Sequence, residues 1–397
     1  MGKPLPVDAL AAVPEFSPAR PARVLHLMQC TNLGGMEQVA CRLMDRLGRT
    51  YGTQFRVATP RRFGPGGALV KAHDPQAQDF DYRGKYGWRS HGTFAAHVRR
   101  IAEGCDAAWV TGADAASMRA LRPLPIRKLM RHHYHHFEGR LSWVKWRGFY
   151  ELLCRDIEAI FYVCDFARRE ALRIAPWLEP KAFVVQNGFP RHYAGEEERL
   201  RRRRAAREAL GLPQDAWIVG NGGWLIRRKR FDVFLRVAAE VRRQLPEAWF
   251  VICGGGELEA ELKALAAALG IADRVRFAGW VTDLTPYHEA WDVCLFSSDF
   301  DAIPTTPIEA ASHGALVVAS VVHGGLDEFI EHERNGFLLA AHDVPRMADA
   351  VVRLAREPAL ASAWRRAAAQ TLVAKYDPAA KAAQFQDFFA RGRLPAN

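Results

Sequence analysis

Short apolar segments alternate with longer amphipathic segments along most of this 397-residue chain, and the alternation starts twice. The first series begins at residue 24 and the second near residue 216, after a charged stretch at 196–208 that contains four consecutive arginines. Strands that alternate with helices favour parallel sheets covered on both faces. A chain of this length also exceeds one ordinary hydrophobic core. The sequence therefore predicts an α/β protein with two doubly wound, Rossmann-like domains facing each other across a cleft.

The pattern also predicts where the elements and domains lie. We expect a disordered, proline-rich lead-in at 1–22, a first domain at 23–189, a second domain at 190–376, and a final helix within 377–397 that returns to the first domain. Strands are expected at 24–28, 55–59, 107–110, 126–131, 159–163, 182–185, 216–221, 249–253, 274–278, 292–296 and 315–319. Helices are expected near 36–47, 89–103, 144–155, 166–174, 196–208, 231–244, 257–269, 306–313, 344–356, 360–375 and 379–391.

Composition narrows the class of protein. The formal net charge of +11 suits an anionic partner such as a nucleotide diphosphate, an anionic lipid surface or nucleic acid, although solvated arginines alone would also produce it. The seven cysteines are scattered without paired spacing, as in proteins with reduced thiols. No apolar run approaches the roughly 18 residues of a membrane span, and the N-terminus lacks the pattern of a signal peptide. We therefore expect a cytoplasmic protein, at most peripheral to a membrane.

Two carboxylates, Asp301 and Glu309, stand eight positions apart where a loop turns into a helix. The apolar run 293–296 before them reads as a strand, and open α/β sheets bind ligands at the carboxyl ends of their strands. A helix that starts there offers free N–H groups to a phosphate. The simpler alternative is a capping box, with Thr306 as N-cap and Glu309 as the third helical residue.

Two glycine-rich turns follow predicted strands. Gly34-Gly35 opens the first helix, and Gly254-Gly255 follows the strand at 249–253, so backbone amides at both turns can approach a ligand closely. Neither turn has the G-x-G-x-x-G spacing, which argues against a dinucleotide oxidoreductase.

A cationic turn follows the strand at 216–221. It contains Arg227, Arg228, Lys229 and Arg230 directly before a predicted helix. Cations at a helix start oppose the helix dipole, so an anion bound there would relieve the conflict. Lys as a point charge and Arg as a fork both suit a diphosphate. The alternative is an exposed helix start with solvated arginines.

The tract 131–136 contains four histidines. Adjacent residues on a strand point to opposite faces, and no cysteine or paired carboxylate nearby completes a ligand set. We therefore expect no metal site there.

Taken together, these segments resemble the retaining glycosyltransferases of the GT-B fold, in the large family four group. Asp301 and Glu309 match its acidic-x7-Glu signature, with Asp where Glu is usual. Lys229 matches the family lysine, whereas Trp224 stands where the family has arginine, so Arg227 or Arg228 would have to replace it. Further matches in the same order are the interdomain Asn-Gly turn at 187–188, the strand at 274–281 and the segments 324–328 and 335–338, and the resemblance covers about residues 23–392.

The resemblance implies roles for individual residues. Glu309 would hold the ribose hydroxyls of a nucleotide-sugar donor, and Asp301 would accept hydroxyls of its sugar. Lys229 and a neighbouring arginine would stabilise the leaving diphosphate, and His132 or His133 would lie near the reacting carbon. Further donor contacts would come from Gly34, Gly35, Arg227, Arg228, Gly254, Gly255, Trp280, Val281, Pro304, Thr305 and Thr306.

The same resemblance implies a metal-independent transferase without a cofactor. The donor would be a UDP- or GDP-sugar and the acceptor a saccharide or lipid-linked molecule of polysaccharide or lipopolysaccharide assembly. Trp143, Trp146 and Phe149, interspersed with Lys145 and Arg147, suit docking on an anionic bilayer, although their helical spacing also suits the core. The competing hypotheses are an epimerase or phosphorylase of the same fold, and a non-catalytic nucleic-acid-binding protein. No recognised nucleic-acid-binding module supports the last of these.

Overall fold

The computed structural model describes residues 21–31, 34–80, 88–133, 141–322 and 324–395, with backbone alone at 88–91. Residues 1–20 of the lead-in predicted at 1–22 lie outside the described residues. Ala22 is already buried, and its carbonyl accepts a hydrogen bond from the Gln54 amide at 2.9 Å. The described part of the first domain therefore begins in contact with its sheet.

The first domain is built on a seven-stranded parallel sheet in the order β3-β2-β1-β4-β5-β6-β7. Its central strands are buried on both faces, as parallel strands covered by helices are. The short strand β3 and the short helices α2 and α4 were not predicted. The strands are β1 (Arg23–Met28), β2 (Gln54–Thr59), β3 (Gln78–Asp79), β4 (Ala107–Thr111), β5 (Arg127–His132), β6 (Ala159–Tyr162) and β7 (Ala182–Val184).

Helices cover both faces of this sheet. The first, α1, buries Val39, Ala40, Met44 and Leu47 at helical spacing and ends at Gly52, whose left-handed φ of 68° suits glycine. The helices of the first domain are α1 (Gly35–Tyr51), α2 (Gly67–His73), α3 (Trp88–Ile101), α4 (Ala115–Leu121), α5 (Ser142–Leu153) and α6 (Asp165–Ile174).

The second domain has a six-stranded parallel sheet in the order β10-β9-β8-β11-β12-β13. Two doubly wound parallel sheets confirm the predicted fold class, while the boundaries at 189 and 376 stay predictions. The strands are β8 (Ile218–Gly222), β9 (Trp249–Cys253), β10 (Val275–Gly279), β11 (Val293–Phe296), β12 (Leu316–Ser320) and β13 (Phe337–Leu339). The remaining helices are α7 (Glu196–Leu210), α8 (Phe231–Gln244), α9 (Glu259–Ala268), α10 (Thr285–Ala290), α11 (Thr305–Ser312), α12 (Val344–Arg356), α13 (Pro358–Lys375) and α14 (Pro378–Arg391).

The charged sequence of the arginine-rich helix α7 is typical of a solvated helix, but only part of this helix is exposed to solvent. Arg207 is fully buried and its Nη2 donates to Asp292 at 2.6 Å, while Nε of Arg203 donates to the same carboxylate at 2.9 Å. Arg201 on the same helix is 74% exposed. One side of α7 therefore anchors to the second domain and the other side faces solvent.

The last helix, α14, lies on the first domain. Phe385, Phe388 and Phe389 are buried there, and the Phe385 ring centroid is 5.1 Å from that of Phe161 on β6. Arg127 Nη1 also donates to the Phe389 carbonyl at 2.6 Å. The chain therefore crosses between the domains twice, at 185–190 and again before α14.

Candidate functional site

The starts of α1 and α11 meet between the two domains. Gly35, the first residue of α1, lies so close to Thr305, the first residue of α11, that a Cβ on Gly35 would be 2.9 Å from Thr305 Oγ1. Only glycine accommodates this approach without displacing a neighbour. Both helices begin at the carboxyl ends of their strands, β1 and β11, so their free N–H groups face the same space.

Lys229 and Asp301 form an ion pair beside these helix starts. Lys229 Nζ donates to Asp301 Oδ2 at 2.6 Å, and Arg228 Nη1 lies 3.5 Å from the same oxygen. The side chains of Lys229 and Asp301 are only 15% and 20% exposed. Burial acts to raise the pKa of Asp301, but Lys229 and then Arg228 outweigh it and hold this pKa below its ordinary value. The carboxylate is therefore ionised at neutral pH.

The cationic turn has a defined backbone. Residues Arg227–Lys229 form one 3-10 turn, and Arg230 then adopts a left-handed φ of 49°. Ser297 Oγ fixes this conformation because it donates to the Arg230 carbonyl at 2.9 Å. Arg228 also donates to the Phe300 carbonyl at 3.3 Å, whereas Arg227 is exposed. Of the two predicted arginines, Arg228 is the one that lies beside Lys229 and Asp301.

The capping box predicted at 306–309 is absent. Helix α11 begins at Thr305 with Pro304 as its N-cap, and Thr306 Oγ1 donates to the Gly222 carbonyl at 3.2 Å instead of capping its own helix. The local pattern failed because β8 offers Thr306 a partner across the sheet. The hydroxyl group of Thr306 therefore joins α11 to β8, and no side chain caps the N–H groups of this helix start.

Glu309 lies beyond the first turn of α11 and forms an ion pair with Arg42 of α1. The Glu309 side chain is 13% exposed and that of Arg42 is 51% exposed. This contact was not predicted. The sequence does contain a signal for this contact. Arg42 follows Gly35 by seven residues, so it lies on the same side of α1 as the residue that approaches α11.

Two exposed tryptophans stand close to the cationic turn. The ring centroids of Trp224 and Trp280 are 4.4 Å apart, with 49° between their planes. Val281 follows Trp280 and is partly buried. The predicted donor contacts Trp280 and Val281 thus lie beside Trp224, the residue in the place of the family arginine.

The second glycine-rich turn differs from the prediction. The Gly254 amide donates to the Gly279 carbonyl at 2.7 Å, and a Cβ on Gly254 would lie 1.9 Å from the Gly223 carbonyl oxygen. Gly254 therefore serves the packing of two loops, its amide is already engaged, and its donor contact stays a prediction. Gly255 accepts a hydrogen bond from the Leu225 amide through its carbonyl, and its donor contact stays a prediction.

The two candidate histidines lie in different surroundings. His132 is fully buried in β5, where its Nε2 is 3.2 Å from the Tyr150 hydroxyl, and its contact with the donor stays a prediction. His133 follows at the end of β5 and is partly buried. Burial, and then the charge of Arg131, lower the pKa of His133 well below its ordinary value, which makes it neutral at pH 7. Of the two candidates, His133 is the one with an exposed part, and its donor contact also stays a prediction.

Loops of both domains also meet behind Asp301. Cys164 Sγ donates to the Ala302 carbonyl at 3.1 Å, and the Asp165 amide donates to Glu328 Oε1 at 2.6 Å. A Cβ on Gly324 would lie 1.8 Å from the Asp301 carbonyl oxygen, so this loop packs directly on the acidic residue. The segment 324–328 is one of those that resemble the family, but the contacts themselves could not be predicted, because each depends on how the domains are placed.

Two further features concern the described residues alone. They contain no group of His, Cys, Asp and Glu side chains suited to a metal ion; residues 134–136 of the histidine tract lie outside them. Within the same ranges, none of the helices has the length and apolar character required to cross a bilayer.

Two Rossmann-like domains with parallel sheets, facing each other across a cleft, form the GT-B fold that is known from glycosyltransferases. Solved structures match it over nearly the whole chain: Anabaena HepE in complex with UDP-glucose has a TM-score of 0.79 at 19% identity, covering 92% of this chain and 98% of HepE. Residues 202–371 match the family model described as glycosyl transferases group 1. This match lies within the second domain and covers less than half of the chain.

Curated relatives match over part of their length. A lipopolysaccharide core biosynthesis glycosyltransferase of Rhizobium meliloti, LpsE, is 29% identical over 170 residues, which are 43% of this chain and 48% of LpsE. A D-inositol 3-phosphate glycosyltransferase of Salinispora tropica is 35% identical over 184 residues, 43% of this chain and 38% of the relative. The chain thus spans about half or less of these curated relatives.

Proposed function

We propose that this chain is a retaining, metal-independent glycosyltransferase that moves a sugar from a nucleotide-diphosphate donor to a saccharide or lipid-linked acceptor. The observation that carries the proposal is the pairing of Lys229 with Asp301 beside the facing starts of α1 and α11. A diphosphate needs cations and free N–H groups, and a sugar needs carboxylate acceptors, and this cleft holds both. The crystallised complex of HepE with UDP-glucose supports a donor of this class.

When the donor binds, protein side chains that pair with each other exchange those partners for groups of the donor. Lys229 and Arg228 turn from Asp301 to the diphosphate, and Asp301 then accepts hydroxyl groups of the transferred sugar. Glu309 exchanges Arg42 for the two ribose hydroxyls, since one carboxylate accepts from two adjacent O–H groups. Trp280 and Val281 lie beside the base. The backbone N–H groups of Thr305, Thr306, Gly34 and Gly35 complete the anion site. Pro304 lies next to these groups but has no N–H of its own to donate.

The chemistry requires stabilisation of the leaving diphosphate as its charge develops. Lys229 and Arg228 supply positive charge there, and the helix starts supply oriented N–H groups, so neither a metal ion nor a cofactor is needed. The acceptor hydroxyl attacks the anomeric carbon on the face that the diphosphate leaves, and a phosphate oxygen takes the proton. His133, neutral at pH 7, lies near that carbon and donates a hydrogen bond to the sugar.

The acceptor belongs to the assembly of cell-envelope polysaccharide or lipopolysaccharide. The lipopolysaccharide relative from Rhizobium meliloti supports this class. The exposed apolar residues on and beside α5, Leu141, Trp143, Val144 and Leu152, support docking of this helix on the membrane surface where lipid-linked acceptors reside. Trp146 and Tyr150 of α5 are buried and belong to the core.

Calorimetric titration with UDP-, GDP- and ADP-sugars, each with and without EDTA, tests the proposal. We expect one nucleotide sugar to bind, with unchanged affinity in EDTA, and Lys229→Met to weaken binding while Lys263→Met, which removes an exposed lysine of α9, does not. Transfer to an acceptor with retention of the anomeric configuration is then followed by NMR. Binding of no nucleotide sugar, or binding that EDTA abolishes, contradicts the proposal.

A further inference from the structure

A cavity of about 880 Å³ lies beside the donor site, between α1, the interdomain segment 186–190, the loop 282–285 and the start of α14, and it shares Arg42 with that site. We call it the hinge cavity. Its lining contains five arginine or lysine side chains and two carboxylates. Both carboxylates are engaged, because Asp45 pairs with Arg49 and Asp283 accepts from the Thr285 amide. The hinge cavity therefore carries a net positive charge.

Arg131 lines this cavity from the end of β5 and is 2% exposed. Its Nη2 donates to Asn187 Oδ1 at 2.8 Å, and its guanidinium lies 5.1 Å from the centroid of the Phe385 ring. Among the described residues, its buried Nη1 has no hydrogen-bond partner. A buried donor with no partner is rare in folded proteins and points to a bound ion or water.

Lys381 of α14 is the second cation in this place. Its Nζ donates to Gln186 Oε1 at 2.9 Å, so both cations contact amide oxygens of the interdomain segment and not carboxylates. Burial, and then the charge of Arg131, lower the pKa of Lys381, although Asp377 and Glu328 act in the opposite direction. Both cations line the hinge cavity, and an anion bound there would offset the effect of the Arg131 charge on Lys381.

The backbone brings these two cations together. A Cβ on Gly188 would lie 2.7 Å from Pro378 Cα, so the first crossing between the domains is pressed against the start of α14. Neither Arg131 nor Lys381 takes part in the donor site around Lys229. Their burial has no role in the proposed transfer reaction.

We propose that the hinge cavity binds a phosphate-bearing ligand, with its phosphate group held by Arg131 and Lys381. A phosphate there pairs the free Nη1 and the ammonium group at once. It also ties β5 of the first domain to α14 and to the interdomain segment, so occupancy favours one arrangement of the two domains. The inference is independent of the proposed transfer reaction.

Thermal unfolding of the full chain, titrated with inorganic phosphate or glycerol 3-phosphate against sodium chloride at constant ionic strength, tests this site. We expect phosphate to raise Tm in the native chain and in Lys229→Met, which disables the donor site. Lys381→Met should increase the phosphate concentration required by about tenfold, since one charge-assisted hydrogen bond is lost. Lys375→Met, which replaces an exposed lysine of α13 outside the cavity, is the matched control and should respond like the native chain.

The outcomes separate this inference from the proposed function. A response to both phosphates supports a site for an organic phosphate, and a response to inorganic phosphate alone supports a site for the free ion. A response that disappears in Lys229→Met assigns the anion to the donor site and overturns the hinge site. An unchanged response in Lys381→Met, or no response in the native chain, overturns it as well.

Discussion

Arg42 on α1 of the first domain and Glu309 on α11 of the second domain form an ion pair across the cleft, although 267 residues separate them. The partner of Glu309 in this structure is therefore a cation of the opposite domain and not its own helix start. An ion pair with a half-exposed arginine stabilises a protein only weakly. It holds the carboxylate in place at small energetic expense, so a ligand hydroxyl can replace it.

Glu309→Ala should weaken donor binding much more than it destabilises the fold. Loss of hydrogen bonds to a charged group raises the donor Kd by about tenfold or more. The free energy of unfolding should fall by only about 1 kcal/mol, since the lost ion pair is partly exposed. Calorimetry with the nucleotide sugar and urea unfolding measure the two effects. Glu333→Ala, which removes a surface partner of Arg353, is the control and should leave Kd unchanged; an equally unchanged Kd in Glu309→Ala contradicts its role.

The order and type of the main elements could be predicted because they depend on local patterns. The apolar run 293–296 is a buried strand, as its pattern predicted, whereas the order of the strands in each sheet was not predicted. The role of Thr306 could not be predicted, since its sequence satisfies a capping box and a bond to Gly222 equally well. The ion pair of Arg42 with Glu309 and the burial of Arg207 were also not predictable, because both depend on surfaces that come from distant parts of the chain. The residues of the candidate site were thus located in the sequence, but their partners were not.

Asp301→Asn should change how stability depends on pH. The folded pKa of Asp301 lies below its ordinary value of 3.8, so the unfolded chain binds more protons in the interval between the two. The ion pair therefore stabilises the fold above pH 3.8, and this contribution is lost as pH falls through the folded pKa. We expect the difference in unfolding free energy between the native chain and Asp301→Asn to shrink below pH 3.8, as measured by urea unfolding at several pH values. A difference that is constant over this range would show that the pair does not titrate as described.

Gly35→Ala should impair transfer without destabilising the first domain. A Cβ there meets Thr305 Oγ1 at 2.9 Å, so the helix starts must separate, and strain of about 1–3 kcal/mol lowers kcat/KM by roughly tenfold or more. Thr305→Ala in the same chain removes the clashing hydroxyl and should restore most of the activity. Gly48→Ala on the same helix, whose Cβ would make only an ordinary contact of 3.6 Å, is the matched control. Failure of Thr305→Ala to rescue would place the effect of Gly35 elsewhere.

Arg207→Met should strongly destabilise the second domain. It leaves Asp292 buried with a weaker set of partners, and removal of one member of a buried ion pair costs about 3–5 kcal/mol. Arg201→Met on the exposed side of α7 should change the unfolding free energy by less than about 0.5 kcal/mol. Denaturant unfolding of both variants measures this contrast. Equal stabilities would mean that the arginines of α7 are all solvated, as the sequence alone suggested.

Binding to anionic vesicles should depend on the exposed side of α5. Trp143 and Leu152 are more than half exposed, and the Arg147 guanidinium lies 5.2 Å from the Trp143 ring centroid. Insertion of the apolar side chains and attraction of Lys145 and Arg147 to anionic lipid act together, so binding should weaken at high salt and be weaker with neutral vesicles. The double variant with Trp143→Ser and Leu152→Ser should lower the vesicle partition coefficient by about tenfold or more, since each buried apolar side chain contributes about 1.5–3 kcal/mol. Val373→Ser, which changes an equally exposed apolar residue on α13, should bind vesicles like the native chain.

Calorimetry with the nucleotide sugar should give the same donor Kd for all three proteins, because α5 lies outside the donor site. Co-sedimentation with vesicles of phosphatidylglycerol and of phosphatidylcholine measures the partition, and equal binding by the native chain and the double variant would exclude α5 as the membrane contact.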